Sequence, residues 1–260
     1  SGFPAFEPIY KIDGDIYLKW ESIYKIDSEI SPGKKLIYSD IGFIILGKLI
    51  ERVSGQLLND YVDEFVFSPL GMNTTIFNPP AEKLHRILPT EIDTTKNLIH
   101  GVVHDENARS LGGISGHAGL FSTGHDLAIF SQMMLNEGLY GWKRIFKTKT
   151  VDLFTQTVYS FEDQNRSLGW DKPDGVCSGG IFMSDSSFGQ TGFTGTSLWI
   201  DPEHDLFVIL LTNAVHPKRE MKNPNYFDWR QKIHSAVYES LGLMKINPNL
   251  TLRKRWEKEN

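Results

Sequence analysis

Hydrophobic positions along this chain follow two periodicities, and they divide it. In the first half they recur at helical spacing. Phe43, Leu46, Ile50 and Val53 mark one face of a segment running from Ile41 to Val53, and Ile45 and Leu49 broaden it. That pattern predicts a helix buried on most sides. Ser39 or Asp40 supplies its cap, and Ser54-Gly55 stops it. A second helix, about Leu57 to Phe67, ends at Pro69. Leu127, Phe130 and Met134 predict the inward face of a helix reaching about Leu135, opened by Thr123 paired with Asp126. A short helix near Thr148 to Thr155 follows. Trp229, Ile233, Val237 and Leu241 mark a closing helix from Asp228, ended by Gly242. The second periodicity lies between these helices. Leu206 to Leu211 has no polar residue, which predicts a strand buried on both faces. Asp201-Pro202-Glu203-His204-Asp205 turns the chain into it, so Ser197 to Ile200 should pair with it as a hairpin. Residues 1–36, broken by Pro4, Pro8 and Pro32, read as irregular, and residues 70–111 as mostly looped.

Helices concentrate in the first half and the sheet in the second. This predicts an α/β chain of the α+β kind, one domain over 1–260, with a mainly helical lobe over about 1–160 and a sheet lobe with a C-terminal helix over about 161–260. A length of 260 residues is enough to bury a large core. Net charge of -5 without a basic run argues against nucleic acid as a partner. Cys177, the one cysteine, excludes an internal disulfide. No apolar stretch approaches the ~20 residues needed to cross a bilayer. The chain opens Ser1-Gly2-Phe3-Pro4 without an initiator Met, so targeting is not legible.

Few residues could carry chemistry. Tyr38 precedes a helix cap, where it reads either as packing or as a general acid/base. Gln190-Thr191-Gly192 leads toward the hairpin, and small residues there let a ligand approach the backbone. His100 and His104, with Asp105, Glu106 and His117 nearby, raise a metal site. However, Gly101 and two valines between the first two histidines fit a strand or loop better than a ligating helix. Hydrogen-bonded loop histidines are therefore expected, with no metal and no cofactor.

Taken together, five passages resemble the serine beta-lactamase and penicillin-binding-protein superfamily, in its class C-like branch of hydrolases and esterases. They are Tyr38-Ser39-Asp40 through Gly47, Phe67-Ser68-Pro69-Leu70-Gly71-Met72, Val103-His104-Asp105-Glu106-Asn107-Ala108, Gly116-His117-Ala118-Gly119-Leu120-Phe121-Ser122-Thr123 and Gln190 through Thr196. The resemblance implies an antiparallel sheet flanked by helices beside a helical lobe, of the beta-lactamase/transpeptidase kind. It also implies acyl transfer through an activated serine onto an ester or amide: cell-wall peptide, beta-lactam or small ester. By position, Tyr38 would be the acid/base and Asp40 would stand where the family has Asn. Gln190 would stand for Lys or His, and Thr191 would offer the strand hydroxyl. Gly192 and the Phe193 N–H would belong to the oxyanion side, and His117 would border the cleft or support its loop. An extracytoplasmic location, a peptidoglycan-derived or other small-molecule substrate, and self-association through an exposed sheet edge are the further expectations.

The resemblance departs from the family at three points. Asp40 exchanges an amide that donates and accepts for an acceptor-only carboxylate, which would favour a nearby cation. Gln190 is neutral, which weakens attraction of a substrate carboxylate. The Ser-x-x-Lys nucleophile is not placed: Ser22-Ile23-Tyr24-Lys25 and Ser31-Pro32-Gly33-Lys34 match the letters but not the context. The expectation is that the family's nucleophile precedes Ser1, the N-terminal part of the fold with it. The alternative is a noncatalytic fragment or pseudoenzyme module that binds a cell-wall-like ligand.

Overall fold

Helix enters the chain sooner than the hydrophobic pattern indicates. The structure, a computed structural model, describes residues 1–161, 164–222 and 224–252. Its contacts divide into a unit of Ser1–Thr123 and a unit of Gly124–Asn260. In the first unit, the stretch expected to be irregular holds helix α1 (Ile16–Tyr24), whose N-cap Asp15 accepts the Leu18 N–H at 3.0 Å. The prolines at 8 and 32 lie outside it and break nothing.

Helix α2 (Asp40–Ser54) keeps its predicted bounds. Ser39 Oγ accepts the Gly42 N–H at 3.0 Å and donates to the Pro4 carbonyl at 2.6 Å. Gly55, at φ 74°, closes the helix in the left-handed region. The buried face, however, is not the predicted one. Ile41, Ile44 and Gly47 are buried, while Phe43, Leu46, Leu49, Ile50 and Val53 are exposed. Gly47 is the reason: a Cβ there would stand 2.9 Å from the Gly116 nitrogen. The glycine-rich loop lies directly against this helix, and only a glycine face admits it. Ile41 and Ile44 then join Ile9, Ile23 and Leu111 in the core of this unit.

The second predicted helix is real but does not end before Pro69. α3 (Leu58–Val62) continues as a π turn over Asp63–Phe67 into α4 (Ser68–Leu70), and Gly71 at φ 75° ends it. The wider turn lets the Ser68 N–H reach the Asp63 carbonyl, a shift of register that admits Pro69 inside the helical path. Four short strands complete the unit: β1 (Ile76–Phe77), β2 (Glu91–Ile92), β3 (Leu98–Ile99) and β4 (Leu120–Phe121). β1 pairs with β4 and β2 with β3, all antiparallel. Helix α5 (Glu106–Ser110) lies between β3 and β4 in sequence.

The second unit starts with α6 (Gly124–Leu135), the hairpin of β5 (Leu139–Tyr140) with β6 (Lys143–Arg144), and α7 (Thr148–Thr155). The pair β7 (Tyr159–Phe161) and β8 (Gln164–Arg166) follows. Its main sheet is antiparallel, in the order β11-β10-β9, built from β9 (Phe188–Thr191), β10 (Thr196–Asp201) and β11 (Leu206–Leu211). The predicted hairpin is present, with Trp199 opposite Val208. The double burial of its second strand is not. β11 stands at the sheet edge, and within it only Val208 is buried while Leu211 is exposed. β10 is the central strand. Trp199 and Val208 pack with Cys177, Phe182, Met183, Tyr238 and Leu250.

Helix α8 (Pro224–Ser240) also turns an unexpected face inward. Trp229, Ile233 and Leu241 of the apolar stripe are exposed, and Gln231, His234 and Tyr238 are buried instead. Each of these three finds a partner that makes burial affordable. Gln231 Nε2 donates to the carbonyls of Cys177 and Thr251, at 3.0 and 2.9 Å. His234 Nε2 pairs with Ser197 Oγ at 2.9 Å, and the Tyr238 hydroxyl donates to Asp201 at 2.8 Å. Asp201, the first residue of the predicted turn, is fully buried and also accepts from Ser184 and His204. These bonds outweigh the burial that pushes its carboxyl up, and hold its pKa below the ordinary carboxylate value.

Candidate active site

Tyr38 stands just ahead of α2 and is 58% exposed. Its backbone surroundings are fixed. The Asp40 N–H donates to the Ala5 carbonyl at 2.9 Å, and Ser39 holds Pro4, so residues 4–5 strap the helix start. Asn107 anchors the same strap further along: its Oδ1 accepts the Tyr10 N–H at 3.0 Å, and its Nδ2 donates to the Glu7 carbonyl at 2.8 Å. Nothing in the local sequence marks Asn107 for this role, because its partners lie about a hundred residues away.

The first unit also brings together three ionisable residues from three separate passages. Asp40, Asp105 and His117 place their nearest polar atoms all within 4.8 Å of one another. Asp105 caps α5, its Oδ1 accepting the Ala108 N–H at 2.7 Å. The same oxygen pairs with His117 Nε2 at 2.9 Å, and His117 Nδ1 pairs with Ser115 Oγ at 2.9 Å. Only 4% of the His117 side chain is exposed. Burial pushes the Asp40 carboxyl above its ordinary pKa; His117 opposes that shift and Asp105 adds to it. Burial pushes Asp105 the same way, but its hydrogen bonds from His117 and the Ala108 N–H, with the His117 charge, outweigh it and hold that pKa low.

Three such side chains meet the distance requirement for an ion. Both nitrogens of the His117 ring are nonetheless engaged by protein groups, so the cluster closes on itself through hydrogen bonds. His100 and His104 behave as the loop histidines expected from the sequence. His100 Nε2 pairs with the carbonyls of Leu84 and Ile87, at 3.1 and 2.8 Å, and His104 Nδ1 with Thr90 Oγ1 at 3.0 Å. The two near-matches to a serine-lysine pair lack its geometry. Ser22 Oγ donates back to the Leu18 carbonyl, Lys25 lies 3.8 Å from Glu21, and Ser31 lies outside any helix.

In the second unit, Gln190 and Thr191 end β9, with Thr191 opposite Ser197. Gln190 folds onto its own backbone: its Oε1 accepts the Thr191 N–H at 3.0 Å. Residues 192–195 form a tight turn, with the Gly192 N–H to the Thr196 carbonyl at 2.8 Å and the Gly195 N–H to the Gly192 carbonyl at 3.1 Å. Gly195 has φ 116°, and a Cβ there would meet Thr212 Oγ1 at 2.6 Å, so glycine at 195 is required by space as well as conformation. Phe193 at the tip is 56% exposed, and Lys222 Nζ donates to its carbonyl at 2.5 Å from 4.4 Å above its ring. Lys222 is a cation at this turn that the sequence did not point to.

A family profile described as Beta-lactamase matches residues 1–231. The chain belongs to the beta-lactamase family. A relative from Escherichia coli K12, named as a D-alanyl-D-alanine carboxypeptidase, is 39% identical over 257 residues; the match takes in 88% of this chain and 58% of that protein. The chain thus spans under two thirds of the length of the curated relatives it matches. The fold matches simvastatin synthase from Aspergillus terreus at a TM-score of 0.67 and 18% identity, covering 93% of this chain and 64% of that one. It also matches an octameric penicillin-binding protein homologue from Pyrococcus abyssi at 0.64 and 19%, covering 95% and 55%. The mixed fold of helices and antiparallel strands is that of the beta-lactamase and penicillin-binding-protein group. Among the described residues, no helix is long and apolar enough to cross a membrane.

Proposed function

We propose that this chain supplies the acid/base and substrate-strand part of a serine hydrolase that cleaves a peptide ending in D-alanyl-D-alanine. A serine carried on a segment outside these 260 residues would be acylated. Tyr38 would move the proton between that serine and the leaving amine. The Thr191 hydroxyl would face the substrate, and the N–H of Phe193, in the turn that begins at Gly192, would provide one oxyanion donor. The relative's name supports this substrate, and the family supports the chemistry. The observation that carries the reading is Tyr38 itself, an exposed phenol on a backbone held by Ser39, Pro4 and Ala5. The site would work in the cell envelope, where peptidoglycan is found.

The test is Tyr38→Phe in the native protein that includes the nucleophile segment. Loss of one acid/base costs ~10²–10⁴ in rate, with little change in stability because the ring is exposed. Full carboxypeptidase activity in the Phe variant would make Tyr38 a surface residue and nothing more.

A second reading, a ligand-binding module without chemistry, is favoured for residues 1–260 alone by the geometry of Ser22 and Lys25. Intact-mass analysis after a fluorophosphonate and, separately, a penicillin should show no stoichiometric adduct on this chain. An adduct on Ser22 or Ser31 would make the chain a complete hydrolase and remove this reading.

A further inference from the structure

We infer that Asp40, His117 and Asp105 work as one charge-sharing unit in which Asp105 is the positioning residue, on the helix turn that opens two residues after Tyr38. The inference rests on the reading of Tyr38 and Asp40 as site residues; the contacts within the unit do not.

Geometry carries it. Asp105 Oδ1 holds His117 Nε2 at 2.9 Å, and the same oxygen is fixed by the Ala108 N–H at 2.7 Å, so the ring is tied to the start of a helix. Asp40 stands within 4.8 Å of both partners on the first turn of α2. The ring's other nitrogen meets a serine hydroxyl, Ser115 Oγ, at 2.9 Å. A hydroxyl both donates and accepts. The Ser115 hydroxyl therefore holds the second ring nitrogen whichever of the two carries the hydrogen, while Asp105 holds the first. The ring is fixed from both sides, and Asp40 faces it as a third, acceptor-only group.

The charged groups whose fields reach Asp40 are His117 and Asp105, and they act in opposite directions. That opposition gives a test in the full chain without substrate. The Asp40 carboxyl carbon is followed by NMR against pH in the wild-type protein, in His117→Asn, in Asp105→Asn and in the double variant. Asn at 105 keeps the helix cap, which separates loss of charge from unfolding.

His117→Asn should raise the Asp40 midpoint by about one unit, as expected for an opposite charge removed from within ~4–6 Å. Asp105→Asn in the His117→Asn background should lower it, by relief of like-charge repulsion. In the wild-type background that lowering should shrink or reverse, because His117 is then no longer held. Additive effects of the two substitutions would overturn the positioning role of Asp105. An Asp40 midpoint unmoved by His117→Asn would overturn the unit as a whole. Titration of the wild-type chain with zinc sulfate is the last arm. Stoichiometric binding that is lost in Asp40→Asn would overturn the proposal in favour of an ion site; absence of binding supports it. None of these readings depends on hydrolysis, so a failure of the Tyr38 assignment and a failure of this unit are told apart.

Discussion

Gly116→Ala should damage the first unit through space alone, and the structure gives the size of the effect. Gly116 does not occupy the left-handed region, so alanine has no conformational objection to the site. Its Cβ, however, would stand 2.1 Å from the Phe43 carbonyl oxygen and 3.0 Å from the Gly47 nitrogen, both backbone atoms of α2. Relief requires the loop and the helix to part by about 1 Å to reach ordinary contact distance. Overpacking of this kind costs about 1–3 kcal/mol. The same displacement falls on His117, the next residue. A bond of 2.9 Å stretched by that amount is no longer a hydrogen bond, so the contact to Asp105 should fail, while Ser115, in the same loop, moves with the ring. Gly47→Ala on the facing helix should cost less, since alanine in a helix interior recovers about 1 kcal/mol of propensity and its closest new contact, at 2.9 Å, is looser. Gly124→Ala, with nothing within 4 Å, is the control. Urea unfolding followed by circular dichroism ranks the three. A Gly116→Ala variant within about 0.5 kcal/mol of wild type, or one less damaged than Gly47→Ala, would refute the close-packing argument.

Two other outcomes follow from the second unit. Asp201→Asn should destabilise it by about 2–3 kcal/mol at neutral pH, because charge-assisted bonds from Ser184, His204 and Tyr238 weaken at once. The folded pKa of Asp201 is depressed, so the stability it contributes is present above about pH 4 and lost as pH falls through the folded value. An Asn variant with an unchanged acid limb in a pH-stability profile would refute that assignment. Among the described residues β11 is an edge strand, with a neighbouring strand on one side, and such an edge is open to pairing with another chain. Sedimentation should therefore show concentration-dependent association, reduced by Leu211→Lys; a strictly monomeric wild-type chain would refute it.

Boundaries were legible in the sequence where a local device sets them. Ser39 and Gly55 fix α2, the turn after Asp201 fixes the hairpin, and each acts within a few residues of itself. Facing was not legible. In α2 and α8 the hydrophobic stripe predicted the buried side, and in both the structure exposes most of that stripe. α2 is turned by a glycine contact with a loop far along the chain. α8 is turned by polar residues whose partners lie on β10 and in loops. Periodicity reports which side of a helix is apolar, and what covers that side is decided by tertiary contacts that no local window contains. The candidate site divides the same way. Motif order picked out Tyr38, Asp40, His117 and the Gln190 turn. The structure pairs His117 with Asp105, which the sequence offered only as part of a possible metal site, and with Ser115, which it did not single out.

The expectation that a carboxylate at position 40 needs a cation leads through the rest of the first unit. Asp40 sits in the first turn of α2, where the helix dipole favours an anion, yet its burial opposes ionisation by more than that. His117 opposes that burial effect without cancelling it, and a polar ring so buried needs an acceptor fixed beside it. Asp105 is that acceptor, and it is fixed because the same oxygen caps α5. For His117 to reach Asp40 at all, its loop must lie against α2 at backbone distance. That needs glycine at 47 on the helix and at 116 on the loop. In this chain the carboxylate at 40 thus stands with a histidine, a second carboxylate and two glycines that let the loop and the helix meet.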